Sequence, residues 1–459
     1  MAMGIRQPGP AARSLATGYT ARAPLRRPSL PMPVTLAPSA PGRRAALVFI
    51  FVTVLIDVLA FGVIIPVLPH LVESFVGGST SKAALWVGVF SFSFSLVQFF
   101  SMPVLGALSD RYGRRPVILL SCLGLSLDFV LMAIAPDLWW LFIGRILSAM
   151  TSASFSTANA YIADITAPEE RAKSFGMIGA AFGLGFVLGP LIGGVLGDYH
   201  ARAPFWLAAG LAMANVIYGL FVLPESLPPE LRTRRFDWSQ VHPFGGFAML
   251  REYPQIWGLA AVVFIANLAH YVYPSTFVLF AGERYGWGTK EAGYVLAVVG
   301  VLSVIVNALL VGRVVKRLGE RRALLFGLSC GVVGFLIYGA ADTGWLFLIG
   351  LPVSALWAIA APATQALITR QVGPQAQGRA QGALSSLSSL GGMFGPLMFA
   401  GSFSWLIGPS APVYLPGVAF YLASALLALG VVVAWRYARP PRDADTVEPP
   451  ASPLPAQDG

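Results

Sequence analysis

The stretch Gly106-Ala107-Leu108-Ser109-Asp110-Arg111-Tyr112-Gly113-Arg114-Arg115 returns 206 residues later as Gly312-Arg313-Val314-Val315-Lys316-Arg317-Leu318-Gly319-Glu320-Arg321. Gly106, Arg111, Gly113 and Arg115 recur at that offset, and so do Trp139 as Trp345, Pro168 as Pro374 and Gly176 as Gly382. Gly185, Gly189 and Pro190 recur as Gly391, Gly395 and Pro396. A single offset relating separate places along the chain marks an internal duplication.

Each copy of the loop lies between long apolar runs. Residues 83–109, 174–197, 203–224, 253–282, 292–312, 323–341 and 343–369 contain no Asp, Glu, Lys or Arg. The run 380–435 is also uncharged, and Gly408-Pro409-Ser410-Ala411-Pro412 divides it in two. Three more spans carry one charge each: 46–69 with Asp57, 117–135 with Asp128, and 138–163 with Arg145. About 20 apolar residues cross a bilayer as a helix. The sequence therefore predicts an all-α integral membrane protein of twelve transmembrane helices in two six-helix parallel repeats. A membrane barrel is excluded, because its strands are short and alternate in polarity.

Composition agrees. Charged residues make up 11% of the 459, apolar residues 56%, and mean hydropathy is +0.70. Soluble domains carry about 25% charged residues. A soluble enzyme, a disulfide scaffold and a disordered chain are thereby excluded. The two cysteines, Cys122 and Cys330, sit in apolar stretches and build neither a disulfide framework nor a metal cluster.

The net charge of +10 is explained by placement. If the N-terminus is inside, the inner segments hold 26 Lys and Arg and the outer loops hold 4. That asymmetry predicts a cytoplasmic location for both termini and a basic face toward anionic lipid, with no role for nucleic acid. The expected organisation is a disordered basic tail at 1–43, in which Met32 offers an alternative start, a first six-helix half at 44–223, a cytoplasmic linker at 224–254, a second half at 255–437, and a Pro-rich disordered tail at 438–459.

Parallel six-helix repeats are a transporter architecture, with the site between the halves near the midplane. In Gly106–Arg115 the glycines permit a tight turn. Asp110 with Arg111, Arg114 and Arg115 supplies ion pairs for a cytoplasmic gate. Gly185, Gly189, Pro190, Gly193 and Gly194 in the fifth helix allow close helix approach.

Together these motifs resemble the major facilitator superfamily, and within it the tetracycline/proton antiporter family. Gly106–Pro116 looks like the signature loop of the superfamily. Gly185–Gly194 is similar to the fifth-helix motif of its antiporters. The family likeness includes Asp57-x4-Gly62-x3-Pro66-Val67-Leu68-Pro69, Ile143-Gly144-Arg145, Ala160 to Thr166, Leu223-Pro224-Glu225-Ser226, Leu318 to Leu324, and Thr369-Arg370-Gln371-Val372. Two departures stand out. The family's ninth-helix aspartate falls on Gly331, and its eighth-helix histidine falls on Ser303.

Ionisable groups at membrane depth are functional candidates. Asp57, Asp128 and Arg145 are assigned to proton and substrate coupling. Two acids and one guanidinium leave one negative charge over, and Asp57 is favoured as the proton carrier, with Arg145 modulating it. Asp128 is also read as a structural partner of Arg145. Phe61, Asn267, His270, Tyr271 and Gln365 are substrate-binding candidates. The expected function is proton-coupled drug efflux by alternating access, without enzymatic chemistry, cofactor or metal. The proton gradient supplies the drive, since no phosphate-binding loop is present. The expected partners are a lipophilic small molecule, protons and the bilayer, with a monomer embedded in the plasma (inner) membrane. A metabolite symporter or uniporter, and a receptor or scaffold that has lost transport, are the alternatives. With Gly331 at the place of the family's second-half acid, a neutral or singly cationic planar drug is expected in preference to a metal–tetracycline complex.

Overall fold

The computed structural model describes residues 41–166, 170–233, 250–372 and 377–438. The tails expected at 1–43 and 438–459 fall almost entirely outside these residues, as does much of the linker. Among the described residues, twelve helices are long and apolar enough to cross a membrane. In the first half they are α1 (Pro41–Phe75), α2 (Thr80–Tyr112), α3 (Arg114–Ile134), α4 (Leu138–Thr151 and Ser154–Ile165), α5 (Arg171–Tyr199) and α6 (Ala203–Val222). In the second they are α7 (Pro254–Tyr285), α8 (Thr289–Leu318), α9 (Glu320–Ala340), α10 (Gly344–Gln371), α11 (Gln377–Ile407) and α12 (Val418–Tyr437). Every apolar run in the sequence became one helix. Backbone groups in hydrocarbon have no water to bond, so each span satisfies its own hydrogen bonds.

Small residues set the helix packing. A Cβ on Gly185, Gly189 or Gly193 would lie 2.9 Å from the Leu59 amide nitrogen, 2.6 Å from the Leu59 carbonyl oxygen and 2.5 Å from the Val63 carbonyl oxygen, respectively. This face of α5 therefore lies backbone to backbone on α1. Gly194 turns the other way. Its Cβ would stand 2.9 Å from the Gly293 Cα of α8, in the other half. The expected antiporter motif thus has two faces, one within its half and one across the seam. α5 also runs unbroken through Pro190, whose ring packs over Gly62.

Among the described residues, the seam is closed at the end far from the repeated loops. Far from the repeated loops, Gly88 of α2 meets Ala400 and Pro396 of α11, and the Ser81 hydroxyl donates to the Ser404 carbonyl at 2.8 Å. At the loop face, a Cβ on Gly106, Gly176, Gly312 or Gly382 would meet nothing within 4 Å. Among the described residues, the two halves meet at the far face, and these four loop-face positions stand open. Trp139 and Trp345, related by the 206-residue offset, are 64% and 79% exposed at the far-face starts of α4 and α10. They are placed as interfacial anchors.

Candidate functional site

Four helices lose regular α geometry inside the apolar region. α4 breaks at Ser152–Ala153. α7 and α8 widen into π turns at Tyr273–Phe277 and Val306–Leu310, and α10 tightens at Leu356–Ile359. Irregular backbone at membrane depth is tolerated where it is covered by protein or lines a cavity, and π turns gather at functional sites. Candidate side chains sit at or beside these breaks.

Asp57 lies in the middle of α1. The hydrogen-bonding side chain that faces it is Ser154, the first residue after the α4 break. One carboxylate oxygen is buried without a partner. Behind it runs a buried polar chain: the Thr53 hydroxyl reaches Asn215 at 3.3 Å, and the Asn215 amide reaches the Cys122 sulfur at 3.5 Å. Nothing in the sequence sets Ser154 apart from the other small residues of α4. Its role follows from the helix break, which composition did not signal.

Of the two acids read as partners of Arg145, the structure pairs it with Asp128. The two form an ion pair, and the Arg145 Nε lies 3.3 Å from Asp128 Oδ1. Asp128 is 0% exposed and Arg145 8%. The guanidinium also lies 5.5 Å from the Phe94 ring centroid. Among the described residues no cation is paired with Asp57. Asp128 and Arg145 form a neutral pair, and the leftover negative charge of the sequence arithmetic falls on Asp57.

The second half presents rings and neutral polar groups. His270 lies 6.5, 6.2 and 6.0 Å from the rings of Tyr271, Tyr273 and Trp357. Asn267 is turned back onto the Val263 carbonyl at 2.9 Å, and Gln365 bonds Gln381 at 3.1 Å. Phe61 is 48% exposed, one turn beyond Asp57. At Gly331 an added Cβ would lie 2.6 Å from Leu427 and 3.0 Å from Trp357. Trp357 and Leu427 therefore occupy the space a larger ninth-helix side chain would need. Among the described residues no group of His, Cys, Asp and Glu is arranged to hold a metal.

At the loop face Arg114 is the hub. It bonds Asp110 at 2.5 Å and Asp164 at 3.1 Å. Glu225 caps the start of α3, accepting from the amides of Arg114 at 2.8 Å and Arg115 at 3.2 Å. Arg115 also donates to the Leu220 carbonyl at 2.6 Å, while Arg111 lies over the Tyr112 ring. Gly113 is required here: its φ is +107°, and a Cβ would strike Glu225. All these partners belong to the first half or to the start of the linker that follows it. The sequence placed the gate in the loop alone and missed Asp164 and Glu225, although both stand in stretches already quoted.

Residues 50–396 match the family model described as Major Facilitator Superfamily. The tetracycline resistance protein of class C from Escherichia coli is 38% identical over 380 residues, covering 81% of this chain and 94% of that protein. The class H protein of Pasteurella multocida is 32% identical, covering 86% and 97%. Among solved structures, a bacterial homolog of the human lysosomal transporter Spinster, inward-facing and unoccupied, superposes with a TM-score of 0.70 at 17% identity over 87% of this chain and 98% of that one. Duplicated halves, an unpaired acid on α1 and these likenesses converge: the chain belongs to the major facilitator superfamily and, within it, to the family of the tetracycline resistance proteins.

Proposed function

We propose that the protein is a drug/proton antiporter of the cell membrane, with the loop face and both chain ends cytoplasmic, and that tetracyclines are among its substrates. Asp57 carries the proton. The observation that bears most weight is the pairing pattern: Arg145 is committed to Asp128, so of the two acids Asp57 is the one free to exchange a proton for a ligand. An isolated buried carboxylate is costly as an anion and is relieved by a proton or a cationic group. In the inward-facing form the drug enters from the cytoplasm and displaces the proton. After the far face opens, a proton from outside returns to Asp57 and the drug leaves. No covalent chemistry on the substrate is involved.

The curated relatives favour tetracyclines. The second half favours a ligand held there by His270, Tyr271, Tyr273 and Trp357, because its interior offers no carboxylate for a hard metal ion. The two readings separate in a susceptible host. The protein should confer tetracycline resistance, and Asp57→Asn should abolish it at equal membrane abundance. Resistance to another planar drug without resistance to tetracycline would favour the metal-free reading. Resistance unchanged by Asp57→Asn would remove Asp57 from the mechanism.

A further inference from the structure

At the far face, away from the repeated loops, the two halves share an open cavity of about 250 Å³. The first half lines it with His70 and Glu73 at the end of α1 and Thr80 at the start of α2. The second half lines it with Gly282 and Glu283 of α7 and with Trp287 in the turn that follows. One carboxylate thus comes from each half, and the export mechanism uses neither.

His70 connects the two sides. Its Nδ1 lies 3.4 Å from one Glu73 carboxylate oxygen, and the other oxygen accepts from the Thr80 hydroxyl at 2.7 Å. The far edge of the ring reaches α7, since a Cβ on Gly282 would stand 3.6 Å from His70 Cε1. Nε2 is buried and has no hydrogen-bond partner. The His70 and Glu73 side chains are 26% and 22% exposed, covered by protein yet within reach of a proton from outside. Glu283 accepts from the Tyr414 hydroxyl at 2.7 Å. The other titratable groups of the neighbouring elements are held elsewhere or stand off the cavity. Arg284 pairs with Asp342, Tyr285 donates to the Ala341 carbonyl, and Glu291 accepts from the Gly288 amide. Lys82, Asp198 and Lys290 do not line it.

We propose that His70 is a lock on the far face, set by the pH outside. A protonated imidazole donates from both ring nitrogens, and a neutral one from a single nitrogen. Protonated His70 ties Glu73 through Nδ1 and draws Glu283 across the seam toward Nε2. Neutral His70 leaves two carboxylates of opposite halves facing one cavity without a counter-charge. Acid outside therefore tightens the far-face contact, and neutral or basic solution loosens it. Histidine is the side chain whose ordinary titration spans that range. The lock is firmest when the inward proton drive is greatest, which restrains protons from reaching Asp57 in the absence of drug. The proposal rests on the alternating-access reading, in which the far face opens in turn.

The test follows the rate at which a membrane-impermeant thiol reagent, added outside right-side-out vesicles, labels Ser81→Cys. It is run at about pH 8 and about pH 5.5, on either side of the ordinary histidine value and above that of carboxylates. Ionisation of the thiol itself changes with pH, so each rate is divided by that of the protein that also carries His70→Gln. The ratio should be close to unity at about pH 8 and fall about threefold at about pH 5.5, the scale of one partly exposed ion pair. Glu283→Gln, with His70 kept, should abolish the fall. The readout needs neither drug nor gradient, so failure of the export reading appears with Asp57→Asn and not here. A ratio that acid leaves unchanged would overturn the proposal. A fall that survives Glu283→Gln would also overturn it, because His70 would then act on Glu73 within its own half.

Discussion

Asp57 and Asp128 are both carboxylates in the apolar interior of the first half, yet they stand in opposite electrostatic situations. Asp128 is paired with Arg145, and Asp57 has only a hydroxyl beside it. Breaking a buried pair from one side leaves an uncompensated charge and costs about 3–5 kcal/mol, while removing both partners is often nearly neutral. Arg145→Met should therefore lower the thermal stability of the detergent-purified protein strongly, and Asp128→Leu combined with Arg145→Met should recover most of the loss. A double variant as unstable as the single one would contradict the structural role. Ser154→Ala removes the hydroxyl that faces Asp57. It should slow exchange about tenfold, the scale of a hydrogen bond to a charged group, and Ser154→Thr should restore it. Equal rates for the alanine and threonine variants would leave Ser154 as packing.

The helices themselves were legible because lipid imposes a long, continuous signal: some twenty apolar residues per span, repeated twelve times. Their interruptions were not. Ser152-Ala153-Ser154 reads as ordinary small residues, and nothing in Val306–Leu310 marks a π turn. Those local geometries are set by neighbouring helices, which a one-dimensional pattern does not contain. The choice of Arg145 between two acids was likewise a matter of three-dimensional reach. The glycine motif of α5 was legible as close packing, but its division between α1 and α8 was not. That division carries a prediction at this scale. Gly194→Leu places bulk where the Gly293 Cα stands 2.9 Å from an added Cβ. It should pry the far-face seam apart and speed labelling of Ser81→Cys by an impermeant reagent from outside. Labelling no faster than in the Gly194 protein would show that this contact does not hold the seam.

The whole molecule is a duplicated frame in which symmetry is kept where mechanics needs it and abandoned where chemistry occurs. The loop glycines, the α5 and α11 motifs and the tryptophan anchors repeat. At 206 residues beyond Asp57, Asp128 and Arg145 stand Val263, Gly334 and Leu351. One half thus carries the ionisable groups and the other an aromatic wall. On the proposed reading, proton exchange runs through Asp57. The direct measurement is drug uptake by inside-out vesicles energised by a pH gradient, acidic inside, with Asp57→Asn vesicles alongside. A gradient of about one unit supplies about 1.4 kcal/mol, a limit of about tenfold accumulation for one-to-one exchange with a neutral drug. The account predicts gradient-driven tetracycline accumulation that disappears with Asp57→Asn, while membrane content and drug binding persist. Equal accumulation by both proteins would contradict it.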